Sequence, residues 1–248
     1  MKLVATIGIL SDTHNKHLAI EARFGIPQCD IIIHAGDFSM LGEEKECMDF
    51  FNWFAALPIQ HKIVIGGNHD IWLDKGCPKY NTLLNFGGII HSDFRDVLPE
   101  GILYLENEAA EIMGIKFYGT PVQPSFNNWA FNYERDSVRQ AAFDMIPDDT
   151  QFLITHCPPK GVLDTRLDGT SLGDRELALK IVTLPNIRVN VFGHIHESRG
   201  IDISGQITYI NATNVNGSYH PIHKPIVLQY FDDGSFKEKK EWQKLSSL

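Results

Sequence analysis

The chain has 248 residues, 43% hydrophobic and 21% charged, an ordinary globular balance with ample material for a substantial core. A formal net charge of −9 disfavours nucleic acid as a general surface partner. No apolar run approaches the roughly 18 residues that a membrane-spanning helix needs, so no membrane association is expected. Cys29, Cys47, Cys77 and Cys157 show no CxxC spacing and no paired framework, and the expectation is a reduced, cytoplasmic protein. The N-terminal apolar run is short, and Asp12 and His14 follow it where the small residues of a cleavage site would stand.

In chain order, residues 3–10 read as a buried strand ending in Ser11-Asp12-Thr13-His14. A second apolar, β-branched run, Asp30 to Ala35, ends in Gly36-Asp37. Cys47, Phe50, Phe51 and Phe54 recur at helical spacing and mark an amphipathic helix closed by Pro58. The strand over 62–66 stops at two glycines and delivers Asn68-His69-Asp70. Residues 86–118 are β-rich, with a turn at Met113-Gly114. Val138, Ala141, Ala142 and Met145 give a second helical stripe. Phe152 to Thr155 is a strand ending in His156, and Glu176 to Val182 a helix capped near Asp174. Arg188 to Phe192 leads into Gly193-His194-Ile195-His196. A hairpin at Ser204-Gly205 and a strand from Ile226 to Phe231 follow, and the charged residues 237–244 form a frayed edge. Neither a repeat nor a linker interrupts the pattern, so residues 1–248 are expected to form a single domain.

Five strand-to-loop junctions thus carry side chains suited to metals or protons. Loops leaving buried strands are where a sheet can hold such groups rigidly while they face solvent. Any one junction alone reads as a turn or as a satisfied polar residue; together they supply Asp12, His14, Asp37, Asn68, His156, His194 and His196. In extended backbone, residues two apart point the same way, so Asp12 should converge with His14, and His194 with His196. Mixed imidazole and carboxylate donors suit manganese, iron or zinc better than magnesium or calcium. Seven donors exceed what one ion normally takes from protein, and two divalent transition-metal ions are expected.

The blocks D-x-H, G-D, G-N-H-D, H and G-H-x-H, spread over positions 12 to 196, resemble those of the calcineurin-like metallophosphoesterases. Gly119-Thr120-Pro121, Trp129-Ala130-Phe131 and His156-Cys157-Pro158-Pro159 look like the metallophosphoesterase-domain-containing proteins of vertebrate brain and their bacterial relatives. The resemblance implies an α/β fold, a four-layer α/β/β/α sandwich of two mixed sheets. It also implies that Asp12, His14, Asp37 and His196 hold one ion, and that Asp37, Asn68, His156 and His194 hold the other, with Asp37 bridging. Two ions about 3.5–4 Å apart lower the pKa of a bridging water to give a hydroxide and clamp phosphoryl oxygens for in-line displacement. His69, beside Asn68, is the candidate general acid; Asp70 either orients it or faces solvent.

The expected reaction is metal-dependent hydrolysis of a small, nucleotide-like phosphodiester. A phosphomonoesterase or protein phosphatase of the same fold is the first rival. Protein phosphatases carry Asp-Arg-Gly after the G-D block and Glu in the G-N-H block, whereas here Phe38-Ser39-Met40 follows Asp37 and the block ends in Asp70. A non-catalytic scaffold is the second rival, and it should have lost ligands. Arg166, Arg175, Arg199, Lys160 and His34 read as surface or supporting residues, with substrate contact as the alternative, and the polar segment 160–173 as a loop over the site. Trp72 and Trp129 read as core, with stacking on a nucleobase as the alternative.

Overall fold

The computed structural model describes residues 1–80 and 93–245, so the β character expected of 86–92 lies outside the described residues. Along the chain run β1 (Leu3–Leu10), α1 (His17–Phe24), β2 (Ile31–His34), α2 (Glu44–Ala56), β3 (His61–Val64), β4 (Ile102–Tyr104), β5 (Glu108–Ile112) and β6 (Ile115–Thr120). There follow β7 (Gln123–Pro124), β8 (Asn132–Tyr133), α3 (Asp136–Asp144), β9 (Phe152–Thr155), α4 (Arg175–Ile181) and β10 (Val189–Phe192). The last strands are β11 (Gly200–Ser204), β12 (Ile207–Asn211), β13 (Ile226–Phe231) and β14 (Phe236–Glu238).

The strands form two mixed six-stranded sheets, in the orders β14-β13-β1-β2-β3-β4 and β11-β12-β10-β9-β6-β5, beside the short pair β7-β8. In the first sheet β1 to β4 are parallel and β13 runs antiparallel to β1. In the second, β6, β9, β10 and β12 are parallel, with β5 and β11 antiparallel at its edges. Ile7, Ile9, Ile31, Ile33 and Ile63 of one sheet pack against Phe117, Phe152, Ile154, Val189 and Val191 of the other. Alternate residues of the same strands, such as Leu10, Ile32 and Val64, face away toward Phe50, Phe51 and Phe54 of α2. Leu153 and Phe192 likewise meet Phe143 of α3 and Leu177 of α4. That is the expected α/β/β/α layering. It follows from strands buried on both faces, where each fully buried aliphatic or aromatic side chain contributes about 1.5–3 kcal/mol.

One helix appears that the sequence reading did not mark, and two local expectations change. Helix α1 shows little apolar periodicity in sequence, and of its residues only His17 and Ile20 are buried. In α3 the buried residues are Arg139 and Phe143, while Val138 and Met145 of the expected stripe are exposed. An arginine takes the inner face because its guanidinium is fully engaged: Nε donates to Asp174 (2.9 Å), Nη2 to Asp136 and Nη1 to the Tyr133 carbonyl (2.6 Å). Asp174 also caps α4 by accepting from the Glu176 and Leu177 amides, so one carboxylate ties the two helices together. At the C-terminal end, β14 pairs with β13, so the charged stretch expected to fray contributes an edge strand.

What the layering does for function is positional. The parallel strands β1, β2 and β3 deliver Asp12, Asp37 and Asn68 from one sheet, and β9, β10 and β12 deliver His156, His194 and Thr213 from the other. A parallel bridge between Ser11 and Thr213 joins the sheets at that end.

Candidate metal centre

The loops after β1 and β2 lie side by side. The amides of Asp12, His14 and Asn15 donate to the carbonyls of Gly36, Asp37 and Phe38 at 2.9–3.0 Å. Asp12, His14, Asp37 and His194 all have positive φ, at 52°, 40°, 55° and 67°. Non-glycine residues reach that region at a cost, and they cluster where a side chain must be aimed. The expected alternation along extended backbone is therefore replaced by left-handed turns. Asp12 still meets His14, but His194 and His196 part: His196 joins Asp12 and His14, whereas His194 joins Asp37 and His156. A third group of donor atoms within reach of one ion comprises His14, Asp37 and His69.

Asp12 is fully buried. Its Oδ2 accepts from Ser11 Oγ (2.6 Å) and Thr213 Oγ1 (3.0 Å), and both its oxygens face the His194 amide. Its Oδ1 lies 3.2 Å from His196 Nε2. Asp37 Oδ1 accepts from the His69 amide (2.7 Å), while Oδ2 lies 3.2 Å from His156 Nε2 and 3.7 Å from His14 Nε2. Asn68 Oδ1 completes that side, 3.1 Å from His156 Nε2. Two glycines make room for this packing. Gly36, at φ +92°, has no space for a Cβ, which would lie 2.7 Å from His156 Nδ1, and a Cβ on Gly67 would strike the Asp37 carboxylate.

The protonation pattern tests whether a metal ion suits these donors. Nδ1 of His14, His156 and His196 each donates to a main-chain carbonyl, of Ser39, Ala35 and Asn216 respectively. That fixes the tautomer and turns every Nε2 lone pair inward. His14 Nε2 and His196 Nε2 then face each other at 3.2 Å, where two lone pairs repel unless a proton or a cation lies between them. Burial, aided by neighbouring histidines, pushes His14 and His194 down to about 3, so both rings are neutral. Burial opposes charge on His156 too, but Asp37 overrides it and raises the ring to about 9; Asp12 likewise raises His196. Burial also opposes ionisation of Asp12 and Asp37, yet His196 and His156 hold the first, and His156 and His69 the second, below the ordinary carboxylate range. The cluster gathers anionic oxygens and inward imidazole lone pairs in one buried place. Divalent cations fit that arrangement.

His69 is half-buried. Its Nδ1 donates to the Met40 carbonyl (2.6 Å), and its ring stacks on Trp129 at 4.3 Å. Its edge meets His14 at a centroid separation of 4.6 Å. The expected role of Asp70 is corrected here, since it neither contacts His69 nor faces solvent. It is fully buried, and its carboxylate accepts from the amides of Asp37, Gly67 and Ser39 and from Ser39 Oγ, all at 2.6–3.0 Å. Asp70 thus clamps the loop after β2 to the loop after β3. Burial, then the Asp37 charge, raises its pKa to about 7.

The other named residues stand outside the cluster. Arg199 spends its guanidinium on the carbonyls of Thr213 and Lys224. Arg175 lies on Glu176, Arg166 near Asp168, and Lys160 Nζ donates to the Ser171 carbonyl. His34 is buried against Thr13 Oγ1. Trp72 is core, and Trp129 holds His69 and Lys79 against its ring, which leaves it no face for a base. Segment 160–173 docks on Ser198, just beyond His196, through Thr165. Ser11, Ser39 and Thr213, which hold the carboxylates, were missed. Thr213 follows the end of β12 as the ligands follow theirs, and that was the signal available.

Residues 5–198 match the family described as Calcineurin-like phosphoesterase. The chain belongs to the calcineurin-like phosphoesterase family. It is 34% identical over 228 residues to metallophosphoesterase domain-containing protein 1 of Homo sapiens, covering 88% of this chain and 69% of that protein. It is 33% identical over 230 residues to UPF0046 protein T07D4.2 of Caenorhabditis elegans, covering 87% of this chain and 57% of that one. The crystal structure of TT1561 of Thermus thermophilus shares the fold, with a TM-score of 0.59 at 12% identity over 95% of this chain and 98% of its own. Family membership makes the protein a metal-dependent phosphoesterase, and the Asp and His groups above are its candidate metal donors. Among the described residues no helix is long and apolar enough to cross a membrane.

Proposed function

We propose that this phosphoesterase is a binuclear phosphodiesterase acting on a small, nucleotide-like diester. The observation that carries the reading is the position of Asp37, whose Oδ2 lies between the two donor groups, 3.2 Å from His156 Nε2 and 3.7 Å from His14 Nε2. Asp12, His14, Asp37 and His196 would hold one ion, and Asp37, Asn68, His156 and His194 the other. Four imidazoles, two carboxylates and an amide oxygen favour manganese, with iron or zinc as alternatives. Bound divalent ions supply Lewis-acid stabilisation of phosphoryl oxygens and activation of a water nucleophile.

The chain's own residues supply the rest. With Nδ1 of His69 donating to the Met40 carbonyl, the imidazolium form of the ring would carry its transferable proton on Nε2. As the ester P–O bond breaks, that proton passes to the leaving oxygen, and the Trp129 stack keeps the ring in place for it. Asp70 acts on geometry, fixing Asp37 and the Asn68 loop through their amides.

A diester offers one negative charge, which two dications and two ligand carboxylates, with a formal surplus of two positive charges, can hold unaided. A monoester dianion usually recruits arginines as bidentate partners. Here Arg199 is committed to carbonyls, and Arg166 and Arg175 have exposed side chains. A cleft of about 530 Å³ opens beside His196, between Leu167, Glu197, Ser218 and His223, with room for one organic substituent. Cys29, Cys47, Cys77 and Cys157 are all unpaired thiols, which suits a cytoplasmic location. The test compares kcat/KM for bis-p-nitrophenyl phosphate and p-nitrophenyl phosphate on one Mn²⁺-loaded preparation near neutral pH. The diester should be the better substrate, and a clear preference for the monoester would overturn the diesterase assignment.

A further inference from the structure

The segment after β12 returns over the metal centre in a tight loop closed by a bridge between Val215 and Pro221. Asn216 organises it: its Oδ1 accepts from the Ser218 and His220 amides, and its amide donates to the His220 carbonyl. Its carbonyl accepts both the Tyr219 amide (2.8 Å) and His196 Nδ1 (3.2 Å), so the loop is tied directly to the candidate ligand His196.

At the tip stands Tyr219, with φ at +59°. For a bulky residue that conformation is an outlier which the surroundings must enforce, and such outliers collect at sites where a side chain has to be aimed. The ring is half-buried and leans edge-on against His14 (4.8 Å) and His196 (5.6 Å), with His69 at 6.3 Å. It therefore borders both the candidate ligands of one ion and the candidate general acid. Among the described residues its hydroxyl has no hydrogen-bond partner. The half-buried ring thus holds a phenol at the edge of the cluster, in a backbone conformation the loop has to enforce.

We propose that Tyr219 is a substrate-binding residue that donates its phenolic hydrogen to a non-bridging oxygen of the phosphoryl group. The assignment rests on the phosphoesterase reading above and adds a protein donor where arginines are lacking. The ligand class is a phosphate oxyanion, because the phenol would donate to it while the Nε2 atoms of His14 and His196 face the cluster that would hold the ions.

The experiment uses Mn²⁺-loaded wild type, Tyr219→Phe and Tyr219→Leu. It reads metal content by elemental analysis, inorganic phosphate affinity by calorimetry, and kcat/KM for bis-p-nitrophenyl phosphate. Tyr219→Phe removes one oxygen and keeps the ring, so metal content should stay at the wild-type level. Phosphate affinity should fall about 10-fold or more and kcat/KM about 10–100-fold, the range for one hydrogen bond to a charged group. Phosphate affinity and kcat/KM unchanged in Tyr219→Phe would overturn the assignment. If only Tyr219→Leu then lost metal, the ring would merely pack over His14. Weakened phosphate binding in Tyr219→Phe beside a wild type that hydrolyses no phosphoester would instead sink the hydrolase reading and leave the Tyr219 assignment standing.

Discussion

Asp37→Ala should lose hydrolysis by more than about 10³-fold, because the change removes the one carboxylate placed between both donor groups. Its Oδ1 also accepts the His69 amide, and its main-chain amide is held by Asp70. The backbone clamp survives the substitution, since Asp70 grips the amide and not the side chain. The loss should therefore appear as depleted metal, measured by elemental analysis against the wild type, with the thermal midpoint of the metal-free proteins little lowered. Asp37→Asn separates charge from shape: the amide fills the same space with no negative charge to attract the ions. It should retain less metal than the wild type. An Asp37→Ala protein with full metal content and full activity would show that the ions bind elsewhere.

His69→Asn should keep both metal equivalents while slowing hydrolysis of diesters with poor leaving groups by about 10²–10⁴-fold. The prediction follows from the ring's two nitrogens. Nδ1 is anchored on Met40, and the stack with Trp129 holds the plane, so Nε2 is presented in one direction. A p-nitrophenolate leaving group needs little protonation, and with it the defect should shrink. An equal loss for good and poor leaving groups would reduce His69 to a residue that positions substrate. A large loss of metal would make it a ligand, a role its grouping with His14 and Asp37 also allows.

Much of the site was legible because its residues sit where buried strands stop. A strand buried on both faces reads as a plain β-branched run, and a polar residue straight after it has few purposes. Asp12, Asp37, Asn68, His156 and His194 were all visible on that ground, and the structure brings them together. How they pair was implied by the family resemblance but was not legible in the periodicity. Alternation predicted that His194 and His196 share a target, but the positive φ of His194 sends the two rings to different groups, and backbone handedness leaves little mark in sequence outside glycine. Asp70 misled for a related reason. Adjacent to His69 in sequence, it turns inward to collect three amides, and only the closed fold brings the two from the loop after β2 within reach. Tyr219 carried no signal, since an aromatic residue in a polar loop matches no motif. In α3 the apolar stripe failed because Arg139 finds its partners in Asp174 and the Tyr133 carbonyl, one of them more than thirty positions away.

The central claim is that two ions share one carboxylate in this cluster, and metal stoichiometry tests it most directly. Protein stripped with a chelator, reconstituted with Mn²⁺ and freed of excess should contain close to two equivalents per chain at full phosphoesterase activity. A reproducible single equivalent in a fully active preparation would contradict the binuclear site.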